Sequence, residues 1–308
     1  MRTRLFSLSF AVPLFTLALL PGCTRGSAES GPGAASTPTV ATAVLPNGLR
    51  LEYLEQGDPA GVPVILLHGY TDSRRSWERI LPMLPSSLRV YALTQRGHGE
   101  SDKPATGYAP ADFAGDVIQF MDLLGIRQAV IVGHSMGSIV GRRIALDHPE
   151  RIRGLVLEGA FATLKGNPIM EDFWKQAIEP LPDPVPNQFV LDFQQSTLAR
   201  PVPEWFFDLV VGESRKVPIQ VWKGVIGELV QTDFLADTTR ITAPTIILWG
   251  DLDAFAPLAE QQLLQSTIPG SRLVTYTGTG HGMHWEEPER FVNDLVQFVA
   301  ELDRVQRP

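Results

Sequence analysis

The stretch from Gln128 to Gly141 reads Q-A-V-I-V-G-H-S-M-G-S-I-V-G, and the fold is decided there. Ala129 to Val132 is a short, apolar, β-branched run, the pattern of a strand buried on both faces of a sheet. G-H-S-M-G follows directly, and Ile139 to His148 then reads as a helix. Ser135 therefore stands at the apex of a strand-turn-helix, the context of a nucleophile elbow. Such a turn strains its serine, and Gly133 and Gly137 leave room where a Cβ would strike neighbouring backbone. The helix end offers free N–H groups and a partial positive charge to a developing oxyanion. In a chain with 27 glycines the bare G-x-S-x-G spacing is a weak signal. The buried strand before it and the helix after it make it informative.

Outward from that stretch, 308 residues with 44% hydrophobic content suffice for one large α/β domain or two small ones. A formal net charge of −8 argues against nucleic acid or an anionic membrane surface as partner. At the N-terminus, Arg2 and Arg4 precede an apolar run from Leu5 to Leu20, short for a membrane span and right for a signal-peptide core. The run ends in L-P-G-C, which resembles the lipobox of bacterial lipoproteins, although Pro21 replaces the small residue usual there. The resemblance implies a signal peptide over residues 1–22 and lipidation of Cys23, the one cysteine of the chain. Residues 23–42, rich in Gly, Ser, Ala, Pro and Thr, read as a flexible tether. The expected location is the bacterial cell envelope, with the membrane touched only through the N-terminal lipid. Thr24 is not the aspartate that retains such lipoproteins in the inner membrane, so outer-membrane placement is favoured.

Past the tether, Pro46-Asn47-Gly48 signals a hairpin between Ala43–Leu45 and Leu49–Leu54. Strands follow at Val62–Leu67, Leu88–Leu93, Ile152–Leu157, Thr245–Trp249 and Arg272–Tyr276. Helical spacing appears around Trp77 to Leu84, over Tyr108–Ile126, and from Pro288 to Leu302. Strands alternating with helices predict an α/β fold, a mostly parallel sheet with helices on both faces. Between the sixth and seventh strands the alternation stops. Residues 161–240 carry Phe173, Trp174, Phe189, Phe193, Trp205, Phe206, Phe207, Trp222 and Phe234, with prolines dense from Pro180 to Pro186. They predict a helical cap over the C-terminal edge of the sheet, dividing a core of 43–160 and 241–308.

A serine hydroxyl needs a base to take its proton, and the base needs an orienting acid. Of the six histidines, His134 lies inside the elbow, His148 in D-H-P-E, His68 in a strand-end turn and His98 in a glycine-rich loop. His281 and His284 share the loop between the last strand and the last helix, at the same sheet edge as Ser135. His284 is nearer the helix, so His281 is the expected base. The acid belongs on a strand-end loop between serine and histidine. Asp251 and Asp253 follow the strand ending at Trp249, and Glu158 follows the strand after the elbow.

From about Ala43 onward the chain resembles the capped, esterase and epoxide-hydrolase-like branch of α/β-hydrolases. The matching residues are H-G-Y at His68–Tyr70, R-G-H-G-E-S at Arg96–Ser101, G-H-S-M-G, G-D-L-D, and G-H-G-M-H-W-E-E-P. The resemblance implies Ser135 as nucleophile, His281 as base and Asp253 as acid, with the backbone N–H groups of Tyr70 and Met136 as oxyanion hole. Thr94 stands where the family more often has aspartate, in a structural loop. Epoxide hydrolases and haloalkane dehalogenases carry aspartate at the elbow, so the serine disfavours both activities. What is expected is a serine hydrolase, without cofactor or metal, acting on a carboxylic ester or lactone with an apolar portion. Carbon–carbon bond hydrolysis and perhydrolysis use the same triad. A hydrolase-like ligand-binding protein of low turnover is the alternative from another class.

Overall fold

The aliphatic runs that the sequence sets between turns become the strands of one eight-stranded sheet. A computed structural model of the chain describes residues 36–305. The signal-peptide segment, Cys23 and the tether as far as residue 35 lie outside the described residues. The strands are β1 (Ser36–Val44), β2 (Arg50–Gly57), β3 (Val62–Leu67), β4 (Leu88–Leu93), β5 (Ala129–His134), β6 (Ile152–Glu158), β7 (Thr245–Gly250) and β8 (Arg272–Tyr276). Their order across the sheet is β1-β2-β4-β3-β5-β6-β7-β8. The β1–β2 and β2–β4 pairs are antiparallel and all the others parallel, so β2 alone runs against the rest.

Side chains of a strand alternate between faces, and each central strand feeds two cores. Ile65, Leu67, Ile131, Leu155, Leu157 and Ile247 lie in one, with α1 (Pro110–Leu123) and α2 (Met136–Asp147) packed on it. Val64, Leu66, Val130, Val132, Val156 and Leu248 lie in the other. Between β6 and β7 the chain forms α3 (Pro168–Asp172), a π-helical turn at Phe173–Ile178, then α4 (Asn187–Ser196), α5 (Glu204–Ser214) and α6 (Ile219–Leu229). This helical insertion interrupts the strand-helix alternation where the sequence does. After β7 come α7 (Leu258–Thr267), the short α8 (Met283–Glu286) and α9 (Pro288–Val305). Phe291, Leu295, Phe298 and Leu302 of α9 cover the second core.

Three local expectations are corrected. The stretch read as tether gives up its last seven residues to β1, which begins at Ser36 rather than Ala43. Thr39 and Thr42 face Glu55 and Glu52 of β2, and Val40 stays exposed, so backbone pairing rather than burial holds this edge. The helical spacing around Trp77 resolves into two single turns, Arg74–Trp77 and Leu81–Met83. Pro82 has no amide donor to continue a helix, and Pro85 disfavours the helical conformation at Leu84. Helix α7 was not foreseen, because only Gln261 and Leu264 of its ten residues are buried and its apolar periodicity is faint.

Candidate active site

Strand β5 ends at His134 and α2 begins at Met136, leaving Ser135 alone in the turn at φ 51°, ψ −114°. A residue with a Cβ pays on the order of 1–3 kcal/mol for such a conformation. Its surroundings impose it. The Ser135 N–H donates to the carbonyl of Glu158 at 2.8 Å, and its own carbonyl accepts from the Ser138 hydroxyl at 2.6 Å. A Cβ on Gly133 would lie 2.2 Å from the Gly137 carbonyl oxygen, and one on Gly137 would lie 2.1 Å from that of Leu67. Both contacts are with backbone, which cannot step aside, so the two glycines let strand and helix close around the serine.

The loop after β8 brings His281 to Asp253: Nδ1 of the imidazole lies 2.8 Å from the carboxylate Oδ2. The other carboxylate oxygen accepts the N–H groups of Phe255 at 2.8 Å and Ala256 at 3.1 Å. Asp253 is thus held by its own turn before it holds the histidine. The backbone N–H of His281 donates to Thr197 in the helical insertion at 2.9 Å. Burial disfavours the imidazolium, but the charge and hydrogen bond of Asp253 outweigh it, with Glu158 and Asp72 adding to them. The His281 pKa is therefore raised above its ordinary 6.5. Ser135 and His281 line one cavity; among the described residues no hydrogen bond joins their side chains.

The competing carboxylates have other work. Asp251 accepts the N–H of Gly278, tying its turn to the loop after β8. Glu158 is fully buried and takes both the backbone N–H of His284, at 2.9 Å, and its ring Nδ1, at 2.8 Å. Burial raises the Glu158 pKa to about 7, against the pull of His134 and of the His284 N–H. It braces the base of the histidine loop through His284, and among the described residues no hydrogen bond joins it to the His281 side chain. His284 packs against Trp77 with ring centroids 4.1 Å apart, and His134 directs Nε2 at the His281 carbonyl, 3.2 Å away. His68 accepts the Gln95 N–H at 2.9 Å, His98 pairs with the Arg96 carbonyl at 2.7 Å, and His148 is partly exposed near Glu150.

The cavity holds about 570 Å³ of empty space, part of it open to solvent. Its walls are mainly apolar, from Met136, Ile139, Phe161, Met170, Ile226, Leu229, Phe255 and Trp285. Of the ten aromatics in residues 161–240, Phe173 and Phe193 line it beside Phe161. Trp222 acts behind the wall, where its carbonyl takes the Tyr70 hydroxyl at 2.6 Å. The backbone N–H groups of Tyr70 and Met136 have no acceptor among the described residues, and both residues line the cavity. Among the described residues no group of three or more His, Cys, Asp or Glu is arranged to hold a metal ion.

Three polar lining residues escaped the sequence reading, Thr197 and the bonded pair Asp72 and Gln194. Both members of the pair are almost wholly buried, and the Gln194 amide donates to Asp72 Oδ1 at 3.0 Å and to the Ser214 hydroxyl at 2.7 Å. Between Tyr70 and Asp72, Thr71 holds φ 66°, a rare value for a β-branched residue, with its hydroxyl 3.0 Å from that of Ser214. The signal for Asp72 was an aspartate four residues after His68 in H-G-Y-T-D, and for Gln194 a polar residue beside Phe193. Neither residue type announces burial.

The model of the alpha/beta hydrolase fold family matches residues 62–203. A non-heme chloroperoxidase from Streptomyces lividans is 30% identical over 283 residues, which cover 84% of this chain and 99% of that protein. A bifunctional esterase/perhydrolase from Acinetobacter calcoaceticus is 27% identical, covering 82% and 97%. Among solved structures, an esterase from Exiguobacterium antarcticum superposes with a TM-score of 0.75 at 25% identity, over 85% of this chain and all of the other.

Proposed function

The chain belongs to the α/β-hydrolase fold family and is an enzyme of that class, and from this premise we propose that it is a serine hydrolase of carboxylic esters or lactones with an apolar portion. The observation that carries the reading is Ser135, strained at φ 51° in the wall of an apolar cavity that His281, paired with Asp253, also lines. In this reading the Ser135 hydroxyl attacks the substrate carbonyl while His281 Nε2 takes its proton. Asp253 holds Nδ1–H and stabilises the imidazolium. The oxyanion of the tetrahedral intermediate meets the N–H groups of Tyr70 and Met136. The carbon–oxygen bond to the leaving alkoxide then breaks, His281 returns the proton to it, and an acyl ester remains on Ser135. Water, deprotonated by His281, attacks that ester and releases the acid. A lactone follows the same course with the alcohol still attached.

The test is turnover of p-nitrophenyl esters together with labelling by a fluorophosphonate; absence of both would overturn the proposal. Acylation requires neutral imidazole, and Asp253 raises the His281 pKa. Activity is therefore lost as pH falls through the pKa and recovered above it, with an apparent midpoint above 6.5. A midpoint well below that value would separate His281 from the base.

The bifunctional esterase/perhydrolase relative favours a second reading, in which hydrogen peroxide replaces water at the acyl-enzyme and a peracid leaves.

The L-P-G-C run supports a lipid-anchored enzyme in the cell envelope. Two or more acyl chains anchor stably where one does not. Expressed in a bacterium, the protein is expected in the membrane fraction, and Cys23→Ser is expected to release it or leave it unprocessed. Wild-type protein in the soluble fraction with a free thiol would refute the anchor.

A further inference from the structure

Asp72 lines the same cavity as Ser135 and His281 and has no place in the proposed triad. A Cβ on Gly69 would lie 3.0 Å from Asp72 Oδ2 and 2.7 Å from His134 Nδ1. Oδ2 is therefore wedged beside Gly69, which precedes Tyr70, and His134, which precedes Ser135. Oδ1 is occupied by the Gln194 amide at 3.0 Å, whereas Oδ2 makes no hydrogen bond among the described residues. Among the described residues Asp72 is the one carboxylic side chain that lines the cavity.

We propose that Asp72 recognises the substrate: its Oδ2 hydroxyl donates a hydrogen bond to a second oxygen, carbonyl or ether, carried next to the scissile carbonyl. The assignment rests on the serine-hydrolase reading and names the substrate class within it. A donor is expected because an amide N–H already points at Oδ1, which leaves Oδ2 to carry the proton. The groups around the carboxyl favour the protonated form. Burial raises its pKa most, the Gln194 hydrogen bond and His281 lower it, and Glu213 and Glu158 raise it, for a value of about 7. The nearest ring nitrogen, His134 Nδ1 at 3.9 Å, belongs to an imidazole that burial keeps neutral. Below neutrality the cavity thus presents an acid O–H, and above it a carboxylate that repels a second acceptor oxygen.

The test compares ethyl 3-oxohexanoate with ethyl hexanoate on the full chain from pH 5.5 to 8. Both esters share Ser135 and His281, so the ratio of their kcat/KM values cancels the titration of the base. The ratio is expected to fall about tenfold in the wild type as pH rises through 7, the worth of one hydrogen bond. Asp72→Asn keeps a donor that does not titrate and is expected to flatten the profile. Asp72→Leu is expected to lower the ratio about tenfold at acid pH. A purely structural role would depress both esters equally, and a ratio that is flat in the wild type overturns the proposal. Should Asp72→Leu fail to fold, the contrast between wild type and Asp72→Asn decides alone. Binding of heptane-2,4-dione, read by tryptophan fluorescence, is expected to weaken with pH in the wild type and not in Asp72→Asn. That pattern without turnover of either ester would sink the hydrolase reading and leave the recognition standing. Turnover with pH-independent binding and a flat ratio would do the reverse.

Discussion

Ser135→Ala is expected to lower ester turnover by about 10⁶-fold while leaving the fold intact. The size follows from the role proposed for the hydroxyl: without it no acyl-enzyme would form, and the cavity and the proposed oxyanion donors would be left to assist water alone. Such a loss corresponds to about 8 kcal/mol of transition-state stabilisation. The fold survives because alanine keeps the Cβ. The strain at φ 51° is the same before and after, and the backbone bonds to Glu158 and Ser138 do not involve the hydroxyl. A fluorophosphonate is expected to label wild type at Ser135 and the variant nowhere. Turnover near wild type in the variant would remove Ser135 from the chemistry.

The second large effect is expected at Asp253→Asn, with a loss of about 10⁴-fold. The geometry explains why an isosteric change is so costly. The N–H groups of Phe255 and Ala256 claim one carboxylate oxygen and would claim the asparagine carbonyl in its place. The amide nitrogen would then face His281 Nδ1 and turn that atom into an acceptor. The proton would move to Nε2, where it blocks uptake of the serine proton. Glu158→Gln is the control, expected to cost roughly tenfold or less. Its side chain braces His284, and glutamine retains an oxygen for the His284 N–H. Kinetics on both variants decide between the carboxylates: a severe loss at Glu158 with Asp253→Asn near wild type would reverse the assignment.

How much of this was legible in the chain depended on whether local pattern or long-range geometry carried the information. The central strands were plain, because a run such as Val62–Leu67, with its inner residues closed off from solvent, has few other ways to lie in a folded chain. The elbow was plain too, since both glycines answer to backbone contacts within the motif or one strand away. Strand β1 was hidden because composition speaks about burial, and this edge is held by hydrogen bonds that any residue but proline can make. Asp253 was set apart from Asp251 by the resemblance, whereas the partners that tell them apart in the fold lie 28 and 27 residues away across the sheet edge. The pairing of Glu158 with His284, and of Asp72 with Gln194, joins residues 126 and 122 positions apart. No periodicity records such a distance. A buried polar residue looks in sequence like an exposed one, and the partner that makes its burial tolerable is known only after folding.

The ties from Gln194 and Ser214 to Thr71 and Asp72 bear on how this enzyme can be recombined. An inserted helical region invites exchange as a cassette, cut at its two junctions and replaced to alter selectivity. Here the cassette carries side chains that hold the loop behind Tyr70 in its unusual backbone conformation. A chimaera that joins the junctions correctly but lacks a glutamine and a serine at those positions gives up the fastening of that loop along with the old cavity wall. Heredity at this site is therefore linked: residues of the core loop and of two inserted helices travel as one unit, and shuffling that respects the unit conserves the machinery it would otherwise dismantle.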